Sequence, residues 1–224
     1  MLDYLKTILI LIRKDIRIET RTRELFLVML IFALSILFIL NFALEGSIKD
    51  RSNSAAGLIW IILVLAGQLG LNQIMGIEKQ GNMLEALLAS PAPRSAIYLS
   101  KTISSFLSMF TMALIIHPVY SIFYNVPLNS LRFIWVSMLG CWGYAALGIL
   151  ISTMTIQTRT RDILLPVLFY PLIIPLIVSA VKVTSVILAG ESLTSVSAEI
   201  SQIIVFDIIF TTAGILGFET IVED

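Results

Sequence analysis

Six long apolar stretches, separated by short polar segments, account for most of the 224-residue chain. Each contains about 20 residues or more, and a helix of that length crosses the roughly 30 Å hydrocarbon core of a bilayer. Backbone polar groups in lipid must be hydrogen-bonded within their own segment, so these stretches are predicted to be helices. The sequence therefore predicts an all-α, polytopic membrane protein with six transmembrane helices, which cover roughly residues 25–44, 56–77, 102–124, 131–154, 163–188 and 199–218.

Basic residues are distributed unequally between the two ends of these spans. Eleven of the 15 lysines and arginines lie before the first span, between the second and third, or between the fourth and fifth. The other four lie on the opposite side. By the positive-inside rule, this asymmetry predicts that both termini are cytoplasmic. Because the spans and their connections use nearly the whole chain, we expect residues 1–224 to form a single transmembrane domain.

The first 23 residues predict an amphipathic elbow helix on the membrane surface. Apolar residues recur at three- and four-residue spacing from Leu2 to Ile16, as on one face of a helix. Such a helix can anchor to anionic lipid and set the topology, and it can also contact a cytoplasmic partner; the two roles are compatible. Basic residues occupy its other faces: Lys6, Arg13, Lys14, Arg17 and Arg21.

The segment between the second and third spans, residues 78–101, is longer than a helical hairpin needs. The Gly-Asn pair at 81–82 indicates a turn, because both residues tolerate positive φ. A short helix is predicted over 83–89, and Pro91 and Pro93 end it because they lack N–H donors.

A short helix held between two rigid breaks suits the transmission of force from a soluble partner, so we interpret residues 78–101 as a cytoplasmic coupling segment. Ser95 is a candidate N-cap for the helix that follows. The candidate residues for coupling to an ATPase are Glu78, Gly81, Asn82, Leu84, Glu85, Leu87, Leu88, Pro91 and Lys101.

The fifth span and the residues after it depart from a simple crossing. Pro166, Pro171 and Pro175 lie within ten residues and are expected to kink or break the helix. The polar residues of 181–198 predict a partial re-entrant hairpin or short interfacial helices instead of a deep straight crossing. No repeat relates the two halves of the chain, which disfavours a secondary transporter.

Motifs for nucleotide binding and catalysis are missing from the sequence. It contains no G-x-x-x-x-G-K-[ST], no C-x-x-C-H, no H-E-x-x-H and no G-x-S-x-G. There is one cysteine and one histidine, which excludes an intrachain disulfide and a Cys/His metal cluster. We therefore predict no catalytic residue and no metal site, and expect any ATPase activity in a partner subunit.

Three ionisable residues of the predicted spans form a candidate intramembrane polar site: His117, Lys182 and Asp207. His117 either contacts haem or substrate, because neutral imidazole binds iron, or is hydrogen-bonded to a neighbouring helix. Asp207 is costly in lipid unless it is paired or hydrated, so we expect it to pair with Lys182 or to face a water-lined cleft.

Residues 78–101 resemble the segment after the second span of ABC-2-type permeases. Members of that group have, in this order, an acidic residue, a turn, a Leu-Glu pair, a proline and a lysine that enters the third span. The corresponding features of this chain are Glu78, the turn at 81–82, Glu85, Pro91 and Lys101. Family members usually have glycine where this chain has Asn82, but asparagine can adopt the same left-handed conformation.

Within that group the whole chain is similar to CcmB, the membrane subunit of the haem exporter complex of cytochrome c maturation. The chain length, the basic N-terminal elbow, Gly57-Leu58-Ile59-Trp60 and the proline-rich fifth span support this resemblance. It implies a permease subunit, present in two copies, in the inner membrane of a bacterial cell. The implied partners are a CcmA-like ABC ATPase, a CcmC-like haem-handling membrane subunit, a CcmE-like haem chaperone and membrane lipid, with no nucleic acid.

The resemblance also implies that this chain binds no cofactor itself: ATP is bound by the ATPase, and haem is handled by the complex. In the family, ATP hydrolysis is linked to release of the haem-loaded chaperone. One alternative is an ABC-2 permease for a lipid, polysaccharide or drug, which would share the coupling segment. Two others are an ion-coupled transporter or channel, expected to have paired carboxylates or broken helices in both halves, and a passive assembly scaffold.

Overall fold

The computed structural model describes residues 2–43, 48–80, 92–126, 128, 130–155 and 161–223. These ranges contain helices and no strand, which confirms the all-α prediction. The helices are α1 Leu2–Thr22, α2 Glu24–Ala43, α3 Ile48–Gln80, α4 Arg94–Tyr124, α5 Leu131–Thr155, α6 Arg161–Leu188, a 3-10 helix Leu193–Val196, and α7 Ser197–Glu223.

Six of these helices, α2 to α7, contain stretches that are long and apolar enough to cross a membrane, so the protein is a multi-pass membrane protein. The ends of the predicted spans lie within about six residues of these stretches, except at the start of the third. Helix α4 begins at Arg94, eight residues before the predicted start at 102. Pro93 is its N-cap and forms no side-chain hydrogen bond there. The prediction of Ser95 as the cap is wrong, because Ser95 lies inside the helix.

The fifth span was expected to be kinked or broken, and a break is wrong. Helix α6 contains Pro166, Pro171 and Pro175 and continues without interruption to Leu188. Of the two forms predicted for 181–198, the re-entrant hairpin is replaced by the end of α6 and a turn at Gly190 with φ of +72°, and a short helix is found as the 3-10 helix Leu193–Val196. In a bundle, neighbouring helices and local adjustments can compensate for the backbone hydrogen bonds that proline removes.

Helix α5 lies at the centre of the bundle, where it packs against α3, α4, α6 and α7. Small residues along α5 allow this close approach, as is usual between membrane helices. A side chain at Gly140 would collide with the ring of Trp60, and one at Gly148 would place its Cβ 2.5 Å from Leu71 Cδ1.

Buried aromatic side chains join the helices by hydrogen bonds. Trp60 Nε1 of α3 donates to Thr184 Oγ1 of α6 at 2.9 Å. Such bonds stabilise helix pairs in lipid, where an unsatisfied donor has no water to bind. The buried hydroxyls of Tyr98, Tyr120 and Tyr144 donate to the backbone carbonyls of Ala146, Ala55 and Val64 on other helices, at 2.9, 2.9 and 3.1 Å.

Candidate functional site

The N-terminal helix is joined to the beginning of α4 by two side-chain contacts, which together we call the α1–α4 joint. Lys101 Nζ donates a hydrogen bond to Asp15 Oδ1 at 3.1 Å and lies 3.1 Å from Asp15 Oδ2. At the other end of the joint, Tyr4 Oη donates to Ser95 Oγ at 3.2 Å. These contacts hold α1 along the first two turns of α4.

The ion pair of the joint is largely shielded from solvent. Lys101 is 7% exposed, and the side chain of Asp15 is 13% exposed. Removing either charge would leave the other one poorly solvated, which makes a shielded pair costly to break. Lys14 also lies near this carboxylate, with Nζ 3.2 Å from Asp15 Oδ1. The joint is therefore a rigid connection and not a loose surface contact.

A groove of about 660 Å³ opens beside the joint, between α1, α2 and α4. Its charged lining residues are Lys14, Asp15, Glu19, Arg23 and Lys101. Most of the remaining wall is apolar, and it includes residues of the first turn of α2 and a strip of α4. The groove thus combines charged groups with an apolar wall, an arrangement that suits an amphiphilic molecule.

The predicted coupling residues lie mostly outside the described part of the chain. Glu78 is in the last turn of α3, but its side chain is not described. Lys101 is engaged by α1 within the chain, so its charge points at Asp15 instead of at a soluble partner. The predicted positions outside the described residues are Gly81, Asn82, Leu84, Glu85, Leu87, Leu88 and Pro91.

The basic residues predicted for the elbow lie on α1, where Arg13, Arg17 and Arg21 are exposed. The sequence analysis missed Asp15, an acidic residue between basic neighbours on an amphipathic helix. Its position was the available signal, because an acidic residue among basic ones on an amphipathic helix can pair with a lysine of another helix. Its partner is 86 residues away, which the sequence pattern alone does not reveal.

The structure favours the interpretation of His117 as a side chain hydrogen-bonded to a neighbouring helix, and not as a contact to haem or substrate. The imidazole Nε2 lies 3.3 Å from Ser137 Oγ on α5, and the ring centroid lies 4.7 Å from that of Phe133. The side chain is 2% exposed. His117 is therefore hydrogen-bonded to a neighbouring helix, and the described side chains form no group of His, Cys, Asp and Glu that could hold a metal ion.

The expected pairing of Lys182 with Asp207 is wrong. Lys182 Nζ lies 3.4 Å from Glu199 Oε1, at the beginning of α7. Asp207 lies two to three turns deeper in α7 and packs against Gly143 of α5, where Oδ1 occupies the space that a Cβ would need. Asp207 Oδ1 has no hydrogen-bond partner among the described residues, and Asp207 is 7% exposed.

Asp207→Asn is expected to raise the free energy of unfolding by about 1 kcal/mol, because the amide keeps the shape of the side chain and cannot ionise in this buried position. Thermal unfolding of the purified protein in detergent would measure it. Glu199→Gln is the control, since it removes an exposed ion pair and should change stability by less than about 1 kcal/mol. A clear loss of stability in Asp207→Asn would contradict this expectation.

Comparison with known proteins identifies the family. The family model described as CcmB protein matches residues 6–220. The chain belongs to the CcmB family. Three similar proteins are each named heme exporter protein B. They come from Rhodobacter capsulatus (23% identical over 169 residues, 75% of this chain and 78% of the relative), Bradyrhizobium diazoefficiens (22% over 181 residues, 80% and 82%) and Paracoccus denitrificans (24% over 169 residues, 75% and 78%).

The CcmB match includes both halves of the candidate site. It begins at Lys6, within α1, and it spans residues 78–101 and the whole of α4. The Asp15–Lys101 pair of the joint and the predicted coupling segment therefore lie within the CcmB match, whereas Tyr4 precedes it.

Proposed function

We propose that this chain is the membrane permease subunit of an ABC-type haem exporter complex of cytochrome c biogenesis. The observation that supports this most directly is the CcmB family match over residues 6–220, together with relatives named heme exporter protein B. ATP hydrolysis takes place in a separate CcmA-like subunit. This chain converts it into a conformational change that serves haem export and release of the haem-loaded chaperone.

Helix α1 serves as an elbow on the cytoplasmic surface of the bacterial inner membrane. Leu5, Leu9 and Ile16 are exposed on this helix, although α1 is not among the candidate spans. A helix with exposed apolar and basic side chains binds the boundary between headgroups and acyl chains. Arg13 and Arg17 are exposed beside them and would contact anionic headgroups.

Residues 78–101 couple the ATPase to the membrane helices. The described parts of this segment belong to α3, which ends at Gln80, and to α4, which begins at Arg94. A displacement of residues 81–91 would therefore act directly on two long helices. The Asp15–Lys101 pair then passes the movement of α4 to α1, so that the elbow and the third span move as one body.

The complex contains two copies of this chain, a CcmC-like haem-handling subunit and a CcmE-like chaperone in addition to the ATPase. The single transmembrane domain holds no cofactor of its own; haem is handled by the other membrane subunit. Both termini of the chain are cytoplasmic, as the excess of basic residues on that side favours.

Deletion of the gene in its host tests this proposal. We expect covalently bound haem, measured by haem staining of membrane proteins after gel electrophoresis, to disappear from c-type cytochromes and to return with the wild-type gene. Membrane-bound b-type cytochromes, measured by difference spectra, serve as the control and should remain. If c-type cytochromes persist in the deletion strain, the chain exports another substrate, such as a lipid or polysaccharide.

A further inference from the structure

We propose that the groove between α1, α2 and α4 binds one anionic phospholipid, with its phosphate at Arg23 and an acyl chain along α4. Asp15 and Lys101 belong both to this groove and to the proposed coupling path, but lipid binding here does not depend on an ATPase. Three observations support the proposal: the charge balance at the mouth of the groove, the backbone conformation of Arg23 and the length of the apolar wall.

The two acidic residues of the groove are already occupied. Asp15 is paired with Lys101 and lies beside Lys14. Glu19 Oε1 accepts a hydrogen bond at 2.8 Å from the backbone N–H of Phe26, in the first turn of α2. Arg23 lines the groove, and its side chain forms no ion pair or hydrogen bond with the described residues. Three basic residues and two acidic residues line the groove, so its mouth carries an excess of positive charge, and a phosphate is the complementary group.

The backbone of Arg23 has an unusual conformation. It connects α1 to α2 with φ of +56°, a value that costs free energy for a side chain of this type and that glycine or asparagine adopts more readily. The other described non-glycine residue with positive φ is Asn125, which belongs to the tolerant class. Strained backbone positions occur preferentially at binding sites, and an anion held at Arg23 would offset the cost.

The wall formed by α4 has the length of one leaflet. Lining residues recur along one side of this helix from Lys101 through Ser104 and Ser108 to Thr111. Ten residues of helix rise about 15 Å, half of the hydrocarbon thickness of a bilayer. The small side chains of Ser104 and Ser108 leave room for an acyl chain, and Leu25 and Leu107 supply apolar contact.

The position of the groove in the sequence also fits a lipid. Arg23 directly precedes the first candidate span, and Lys101 lies in the second turn of the third. Both residues are therefore at one boundary of the membrane, where lipid phosphates lie. A cationic side chain at this depth attracts anionic headgroups.

The test uses the full-length protein, purified in detergent and titrated with dioleoyl phosphatidylglycerol, with bound lipid counted by native mass spectrometry. Arg23→Asn removes the charge and keeps a residue suited to positive φ, so the fold should survive. We expect the tightest lipid adduct to weaken by about tenfold or more, the loss of one charged contact. Arg21→Asn makes the same charge change on a residue outside the groove, and we expect less than about twofold weakening.

A second pair of variants tests the apolar wall without changing charge. Ser108→Trp fills the groove and should also abolish the tight adduct, whereas Ile122→Trp, at an exposed position about three turns beyond Thr111 on α4, should not. Glycerol phosphate, which lacks acyl chains, should fail to displace the lipid.

Three results would overturn the site. The first is equal weakening by Arg23→Asn and Arg21→Asn, which would indicate diffuse surface charge. The second is tight binding in Ser108→Trp. The third is displacement of the lipid by glycerol phosphate or by haemin, which would assign the groove to another anion. None of these results bears on cytochrome maturation, so failure here is distinguishable from failure of the proposed function.

Discussion

Lys101→Met is expected to lower the free energy of unfolding by about 3 kcal/mol, because it leaves Asp15 as a shielded carboxylate without its main partner. Lys14 remains 3.2 Å from that carboxylate, which places the effect at the lower end of the range for broken buried pairs. Thermal or denaturant unfolding of the purified protein in detergent measures the change.

The control for this variant is Lys182→Met, which makes the same substitution in the pair with Glu199. The Lys182 side chain is 60% exposed, so its loss should change stability by less than about 1 kcal/mol. The double variant Asp15→Leu with Lys101→Met should recover much of the lost stability, because an apolar pair can replace a buried ion pair. Equal effects of the two lysine substitutions would show that the α1–α4 joint is not a rigid connection.

Leu87→Pro is expected to reduce cytochrome c maturation by about tenfold or more while the protein still accumulates in the membrane. Proline inside a helix costs about 3 kcal/mol, and residue 87 lies in the predicted short helix outside the spans. Haem staining of c-type cytochromes measures maturation, and immunoblotting of the membrane fraction measures the amount of this protein. Glu85→Lys, which reverses a charge in the same helix, should also impair coupling.

Leu87→Met is the matched control, because it keeps both the volume and the helix and should retain nearly full maturation. Normal maturation in Leu87→Pro, with unchanged stimulation of the ATPase, would remove residues 78–101 from the coupling mechanism. Loss of the protein from the membrane would instead mean that the helix is needed for folding.

The six spans could be predicted because their signal is local. Long apolar runs have few alternatives in lipid, so the fourth span, predicted at 131–154, was found at Leu131–Thr155. The third span was predicted to begin at 102, since Ser95, Ser100 and Lys101 make the first two turns of α4 polar; the sequence placed these turns in a helix that leads to the span. These polar side chains are satisfied by α1 and by the helix backbone, and sequence periodicity does not report such contacts.

Long-range pairing was the part that could not be predicted. Glu199 and Asp207 are both candidate partners for Lys182, and the sequence did not rank Glu199 above Asp207. The choice depends on how α6 and α7 align across the turn at Gly190. The partner of Lys101 was missed for a related reason: Asp15 lies on a helix that the sequence assigned to the membrane surface, with no indication of which span it would contact.

The proposed function requires a separate ATPase that binds residues 78–101 of this chain. Affinity purification of the tagged protein in a mild detergent, with mass spectrometry of the eluate, tests it most directly. We expect an ABC ATPase subunit to co-purify in near-stoichiometric amount, and replacement of residues 81–91 by a Gly-Ser linker of equal length to remove it. Absence of any ATPase from the wild-type eluate, or full retention of the ATPase by the linker variant, would rule out coupling through this segment.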